Sequence, residues 1–151
     1  MKRAISAIAV TAVVIAVCIF VSGDGNGFIE NIGTNWDIEL PDGGKVAYIS
    51  SNRGGLHGDG RTYAVVEYSH PLPDGVLEWN GDCARPHRYG NFSSFAEVIY
   101  ENLNVLEELR HDPAEYDLLY MEDKHGVHVD DMLLIYHRPG GNALYIIVEY
   151  T

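Results

Sequence analysis

The sequence predicts an α+β fold: a mostly antiparallel sheet of about six strands in the order β-β-β-α-β-β-β, covered by one amphipathic helix and preceded by an N-terminal hydrophobic helix. Three observations predict it. Residues 4–21 form an uncharged apolar run behind Lys2 and Arg3, and a polar, Gly-rich patch follows. Several short segments rich in β-branched and aromatic residues are separated by Pro and Gly turn signals. One segment, near 94–110, carries apolar residues at helical spacing.

The apolar run has 18 residues. As a helix it spans about 27 Å, close to the roughly 30 Å hydrocarbon core of a bilayer. The apolar core of a secretory signal is shorter, about 7–15 residues. Length therefore favours a spanning helix, with Lys2 and Arg3 on the cytoplasmic side. The expected location is the cell membrane, single-pass, with the rest of the chain outside the cytoplasm. Cleavage after Gly23 is the alternative and would give a secreted protein, because Ser22 and Gly23 are small. Lipidation at Cys18 is disfavoured, since Val17 precedes it and Ile19, Phe20 and Val21 continue the apolar run. The chain divides into 1–23 as anchor or signal peptide, 24–33 as a flexible Gly- and Asn-rich tether, and 34–151 as an extracytoplasmic domain.

A hydrophobic content of 46% with 11% aromatic residues excludes a disordered tail. The formal net charge is −12, and without Lys2 and Arg3 the exported part carries −14. A field of that sign disfavours nucleic acid and anionic lipid, which need cationic contacts. It suits solubility, a cation or a basic exported protein partner. The two cysteines, Cys18 and Cys83, cannot pair within the domain if Cys18 sits in the bilayer or is removed. Cys83 is then a lone thiol, either open to an intermolecular bridge or half-buried as a small apolar residue.

Residues 36–40 (WDIEL) read as a first strand and 45–51 (KVAYISS) as its hairpin partner, across the turn Pro41-Asp42-Gly43-Gly44. Strict alternation puts Val46, Tyr48 and Ser50 on one face of the second strand. Residues 52–60 are a Gly-rich loop, and 61–69 (RTYAVVEYS) a third strand. The stretch 70–91 is irregular. Ser94 and Glu97 have capping-box spacing and open a helix. Phe95, Val98, Ile99, Leu103, Leu106 and Leu109 form its apolar stripe, and it ends near Arg110 or His111, before Pro113. Strands follow at 115–122, 131–138 and 143–150, the last two joined by a turn at 139–142. The segment 143–150 is expected to be essential to the sheet.

The loop Gly54-Gly-Leu-His-Gly-Asp-Gly60 is the strongest local signal for a site. Its glycines let a ligand approach the backbone closely. His57 would act as base or metal ligand and Asp59 would orient it. The plainer reading is a hairpin connection that needs positive φ at several places. His125, His128, Asp130 and Asp131 form a second cluster, but extended backbone splits them between two faces, which fits a polar turn entering a strand better than zinc. The stretch 24–30 is similar to part of a calcium loop, yet Ser22 and Gly33 stand where its end carboxylates belong. The helix carboxylates Glu97, Glu101, Glu107 and Glu108 face solvent, with no cleft to hold two acids together. No catalytic set, cofactor or metal site is expected.

The charged-then-apolar N-terminus, the loop GGLHGDGRTYAVVEYS at 54–69 and the closing LLIYHRPGGNALYIIVEYT at 133–151 together resemble a group of small exported or membrane-anchored proteins of Gram-positive bacteria. The resemblance implies an extracytoplasmic domain. It implies no activity, so no functional residues carry over. The expected function is a non-enzymatic, membrane-anchored binding module with an acidic surface. The alternative is a small hydrolase or metal-dependent enzyme using His57 and Asp59.

Overall fold

The computed structural model describes residues 25–54, 59–73, 76–77, 92–112, 115, 117–125 and 130–151. The element order is helix α1 (Gly25–Trp36), β1 (Lys45–Ser51), β2 (Gly60–Glu67), helix α2 (Phe92–Leu103), a 3-10 turn (Glu107–Leu109), β3 (Asp117–His125), β4 (Asp130–His137) and β5 (Ala143–Tyr150). The strands form one sheet in the order β1-β2-β5-β4-β3, with every neighbouring pair antiparallel. Among the described residues there are therefore five strands, not about six, and two α-helices rather than one covering helix. The apolar run 4–21 lies outside the described residues. Among those residues no helix is long and apolar enough to cross a membrane.

The missing strand and the added helix are one correction. Residues 36–40 do not pair with β1. Trp36 closes α1 instead, and Asp37 at φ 51° takes the left-handed conformation that ends it. The segment read as a flexible tether, 24–33, lies in this helix from Gly25 onward. Gly25, Gly27 and Gly33 each weaken a helix by roughly 1 kcal/mol relative to Ala. Packing overrides that cost. Phe28, Ile29, Ile32 and Trp36 share one face, and Ile32 and Trp36 are almost wholly buried. Each such side chain contributes about 1.5–3 kcal/mol.

The sheet is consequently buried on both faces. On one side Val66, Leu133, Ile135, Leu144, Ile146 and Val148 pack with Ile32 and Trp36 of α1. On the other, Tyr63, Val65, Met132, Leu134, Tyr136 and Ile147 pack with Phe95, Ala96, Ile99, Tyr100 and Leu103 of α2. Two-sided burial explains why β4 and β5 are apolar at successive positions instead of alternating. β5 runs down the middle, between β2 and β4.

β1 pairs with β2, across the loop 52–59, and not with residues 36–40. A bulge between Val46 and Tyr48 breaks its alternation. Val46 therefore packs on the α1 side while Tyr48 packs on the α2 side, where strict alternation had placed them together.

Helix α2 starts at Phe92, ahead of Ser94, which is an exposed interior residue rather than the cap. It stops at Leu103, well before Arg110. Asn104 has φ 50°, Val105 N–H donates to the Tyr100 carbonyl at 2.9 Å, and Asn104 N–H donates to Glu101 at 3.2 Å. This is a Schellman end with Asn at the left-handed position. The stop rotates the following residues off the helical stripe, so Leu106 is 45% exposed. Val98 is also exposed, at 44%. The buried stripe is Phe95, Ala96, Ile99, Tyr100 and Leu103.

Candidate functional site

The loop between β1 and β2 is pinned at its base. Asn52 N–H donates to the Arg61 carbonyl at 3.0 Å, and Arg61 N–H donates to Asn52 Oδ1 at 2.8 Å. Gly54 N–H donates to the Asp59 carbonyl at 3.1 Å. Gly60 has φ 147°, and a Cβ there would stand 2.6 Å from Arg53 Cα. Glycine is required at this position by both conformation and space. The side chain of Asp59 is exposed. His57 and His128 lie outside the described residues, so the pairing of His57 with Asp59 lies outside them too. Of the second cluster, the backbone of His125 pairs with Asp130 and that of Lys124 with Asp131. Among the described residues no group of three or more His, Cys, Asp or Glu side chains is placed to hold a metal ion.

Next to the loop base, on the α1 side of the sheet, is an open cleft of about 350 Å³. Its floor is Ile49 and Ser51 of β1, Thr62 of β2 and Tyr150 of β5; its wall is Gly27, Phe28 and Asn31 of α1. Arg53 stands at its mouth, with the guanidinium carbon 3.9 Å from the centre of the Tyr150 ring. The Ser51 and Thr62 hydroxyls are 2.8 Å apart and bond to each other. Asn31 Oδ1 accepts from Asn35 Nδ2 at 2.8 Å. These residues come from four elements spread over the whole described chain, so no linear motif announces the cleft.

The opposite face holds a buried ion pair and a buried histidine. Arg61 Nη2 is 2.7 Å from Glu149 Oε1, and Arg61 Nε donates to the same oxygen at 2.8 Å. Glu149 is only 7% exposed, so this pairing is what makes its burial tolerable. Deeper in, the His111 ring packs among Tyr63, Tyr100, Tyr136 and Tyr145, with centroids 4.4 Å from Tyr136 and 5.3 Å from Tyr145. His111 Nδ1 is hydrogen-bonded to the Tyr100 hydroxyl, which also donates to the His111 carbonyl at 3.1 Å. The Tyr63 hydroxyl donates to the Leu109 carbonyl at 2.7 Å. Burial pushes the His111 imidazolium down to about 4, against a smaller opposing pull from Asp112. Burial also holds the Tyr63, Tyr100 and Tyr136 phenols well above their ordinary value. This nest keeps its histidine neutral and enclosed near pH 7.

The outer side of α2 is different again. On the helix, Glu97 and Glu101 stand either side of the exposed Val98 in sequence; past its end, the exposed Leu106 is followed by Glu107 and Glu108 of the 3-10 turn. Among the described residues no cation forms an ion pair with any of these four carboxylates. The described ion pairs lie elsewhere, at Arg61–Glu149 and, with a 3.9 Å separation between exposed groups, at Arg138–Glu115.

Set beside known proteins, the chain matches no family model, no curated protein and no solved structure.

Proposed function

We propose that the chain is a non-enzymatic, extracytoplasmic binding module, anchored in the membrane through residues 4–21, whose acidic face receives a basic exported protein. The observation that carries this reading is the outer side of α2. Glu97 and Glu101, without an ionic partner among the described residues, neighbour the exposed Val98 in the sequence of that helix, and past its end Glu107 and Glu108 follow the exposed Leu106. Apolar contact supplies affinity, and the surrounding charge supplies steering and choice of partner. The net charge of −12 supports the same sign of partner. The location rests on Lys2 and Arg3 followed by the uncharged run 4–21, and on the resemblance to small exported proteins.

Glu97→Lys with Glu101→Lys tests the reading, because both sites are exposed and the fold should tolerate them. Wild type and double variant are used as bait on membrane extract at about 50 and 500 mM salt, where screening differs several-fold. The reading expects a basic protein that wild type retains at low salt, releases at high salt, and that the double variant never retains. Equal recovery on both baits, or recovery indifferent to salt, refutes it.

A further inference from the structure

We propose that the edge of the domain formed by β1 and the first turns of α1 lies against the headgroups of the bilayer. The inference rests on the reading of residues 4–21 as a membrane anchor, and it adds which surface of the domain meets the lipid.

Reach is the first argument. Only residues 22–24 separate the end of the apolar run, Val21, from the start of α1, Gly25. Even fully extended, that link covers at most about 14 Å. The headgroup layer on one side of a bilayer takes up roughly 5–8 Å of it. Gly25 therefore stays within about 9 Å of the membrane surface. A flexible tether over 24–33 would have let the domain stand roughly 40 Å away.

Packing is the second argument. Ile32 and Trp36 fix α1 to the sheet, so whatever lies beside its first turns is held at the same height above the lipid. What lies there is β1. Gly27 and Phe28 share one cleft with Ile49 and Ser51, towards the end of β1. Ile29 and Glu30 share another with Asp42 and Gly44, just before its start. The first turns of α1 are thus bracketed by both ends of β1, which is an edge strand of the sheet. β3, at the other edge, is four strand spacings away, about 19 Å. α2 packs on the opposite face of the sheet from α1, so the sheet stands between its outer side and the anchor. Charge does not do the placing. A chain of net charge −12 gains nothing from an anionic leaflet, and a short link needs no such attraction.

The test places the full chain in phosphatidylcholine nanodiscs that carry a nitroxide on part of the headgroups. A dye is attached through a keto amino acid at Ala47 of β1, at Glu101 of α2 or at Glu115 ahead of β3; all three positions are exposed, and both cysteines stay in place. The nitroxide quenches only at short range. With about 19 Å between the two edges, the dye at 47 should be quenched at least about threefold more than at 101 or 115. Asn31 of α1, also exposed, is a second near position in case a dye at 47 disturbs the strand, and it should behave as 47 does. Adding about twelve Gly and Ser residues between Gly23 and Asp24 lengthens the link by roughly 20 Å and should bring the near positions down to the far ones. Equal quenching at near and far positions, or quenching at 47 and 31 that the insertion leaves unchanged, overturns the proposal while the anchor stands. A chain that elutes apart from the nanodiscs overturns the anchor reading, and this placement with it.

Discussion

Lowering the pH should weaken this fold through His111, and the size of the effect follows from its surroundings. An exposed histidine titrates near 6.5; His111, walled in by Tyr63, Tyr100, Tyr136 and Tyr145, is pushed down to about 4. Between those values the unfolded chain binds a proton that the folded chain refuses. Stability from this group is complete above 6.5, declines as the pH falls, and is fully lost by about 4. The gap corresponds to about 3 kcal/mol. That is a large share of a typical stability of about 5–15 kcal/mol. Acidification acts on the rest of the molecule in the opposite sense, since protonating surface carboxylates relieves the repulsion within a strongly negative domain. The difference between wild type and His111→Phe isolates the histidine. At pH 7.5 the variant should be the less stable by about 1 kcal/mol, because Tyr100 loses one hydrogen-bond partner. By pH 4.5 it should equal or exceed wild type. Urea unfolding followed by circular dichroism at intervals between pH 4 and 8 measures both curves. Parallel curves across that range would falsify the assignment of His111 as a buried neutral imidazole.

Three further expectations rest on other parts of the molecule. Gly60→Ala should cost at least about 2 kcal/mol and lower the melting temperature, because the residue has φ 147° and its Cβ would collide with the Arg53 backbone. Arg61→Gln should destabilise by about 2 kcal/mol by stranding the Glu149 carboxylate; adding Glu149→Gln should recover much of that loss in a double-mutant cycle, and no recovery would mean the pair is not coupled. Trp36→Ala should cost about 3–5 kcal/mol in chemical denaturation, as befits a residue that is 2% exposed. A much smaller loss would mean that α1 is not packed on the sheet through Trp36.

Much of the sheet was legible because its strands carry dense β-branched and aromatic runs. The turn at 139–142 between β4 and β5 follows directly from Pro139, Gly140 and Gly141. The second covering helix was not legible. Its glycines argue against a helix locally, and only the sheet behind it makes Phe28, Ile32 and Trp36 a buried stripe. A signal for it nevertheless existed in the apolar runs of β4 and β5: Leu133, Leu134, Ile135 and Ile146, Ile147, Val148 leave no polar face for water, which requires cover on both sides. The end of α2 was hidden for a related reason. Leu106 and Leu109 continue the helical period, while Asn104 in a left-handed conformation breaks the helix before them. The cleft had no sequence signature, since Asn31, Ile49, Thr62 and Tyr150 meet only through strand pairing and helix docking. The loop glycines mark its border, and Gly60, with its positive φ and the Arg53 backbone close by, has the conformation that the plainer reading of the loop as a hairpin connection asks for.

The central place of β5 also has a consequence for how the chain reaches its native state. The β1–β2 hairpin and the β3–β4 hairpin can each form from neighbouring residues, but they share no direct pairing. β5 alone stitches them together, bonding β2 on one side and β4 on the other. β5 meets β4 locally across the turn at 139–142, so the long-range closure is its pairing with β2; until that forms, β2 carries an open edge lined with side chains that the folded sheet buries, such as Tyr63 and Ala64. Closure over such sequence distances is slow compared with hairpin formation. A chain in which β5 has not yet met β2 exposes one adhesive edge on each of those strands, and its vulnerability to proteases and to self-association is concentrated there.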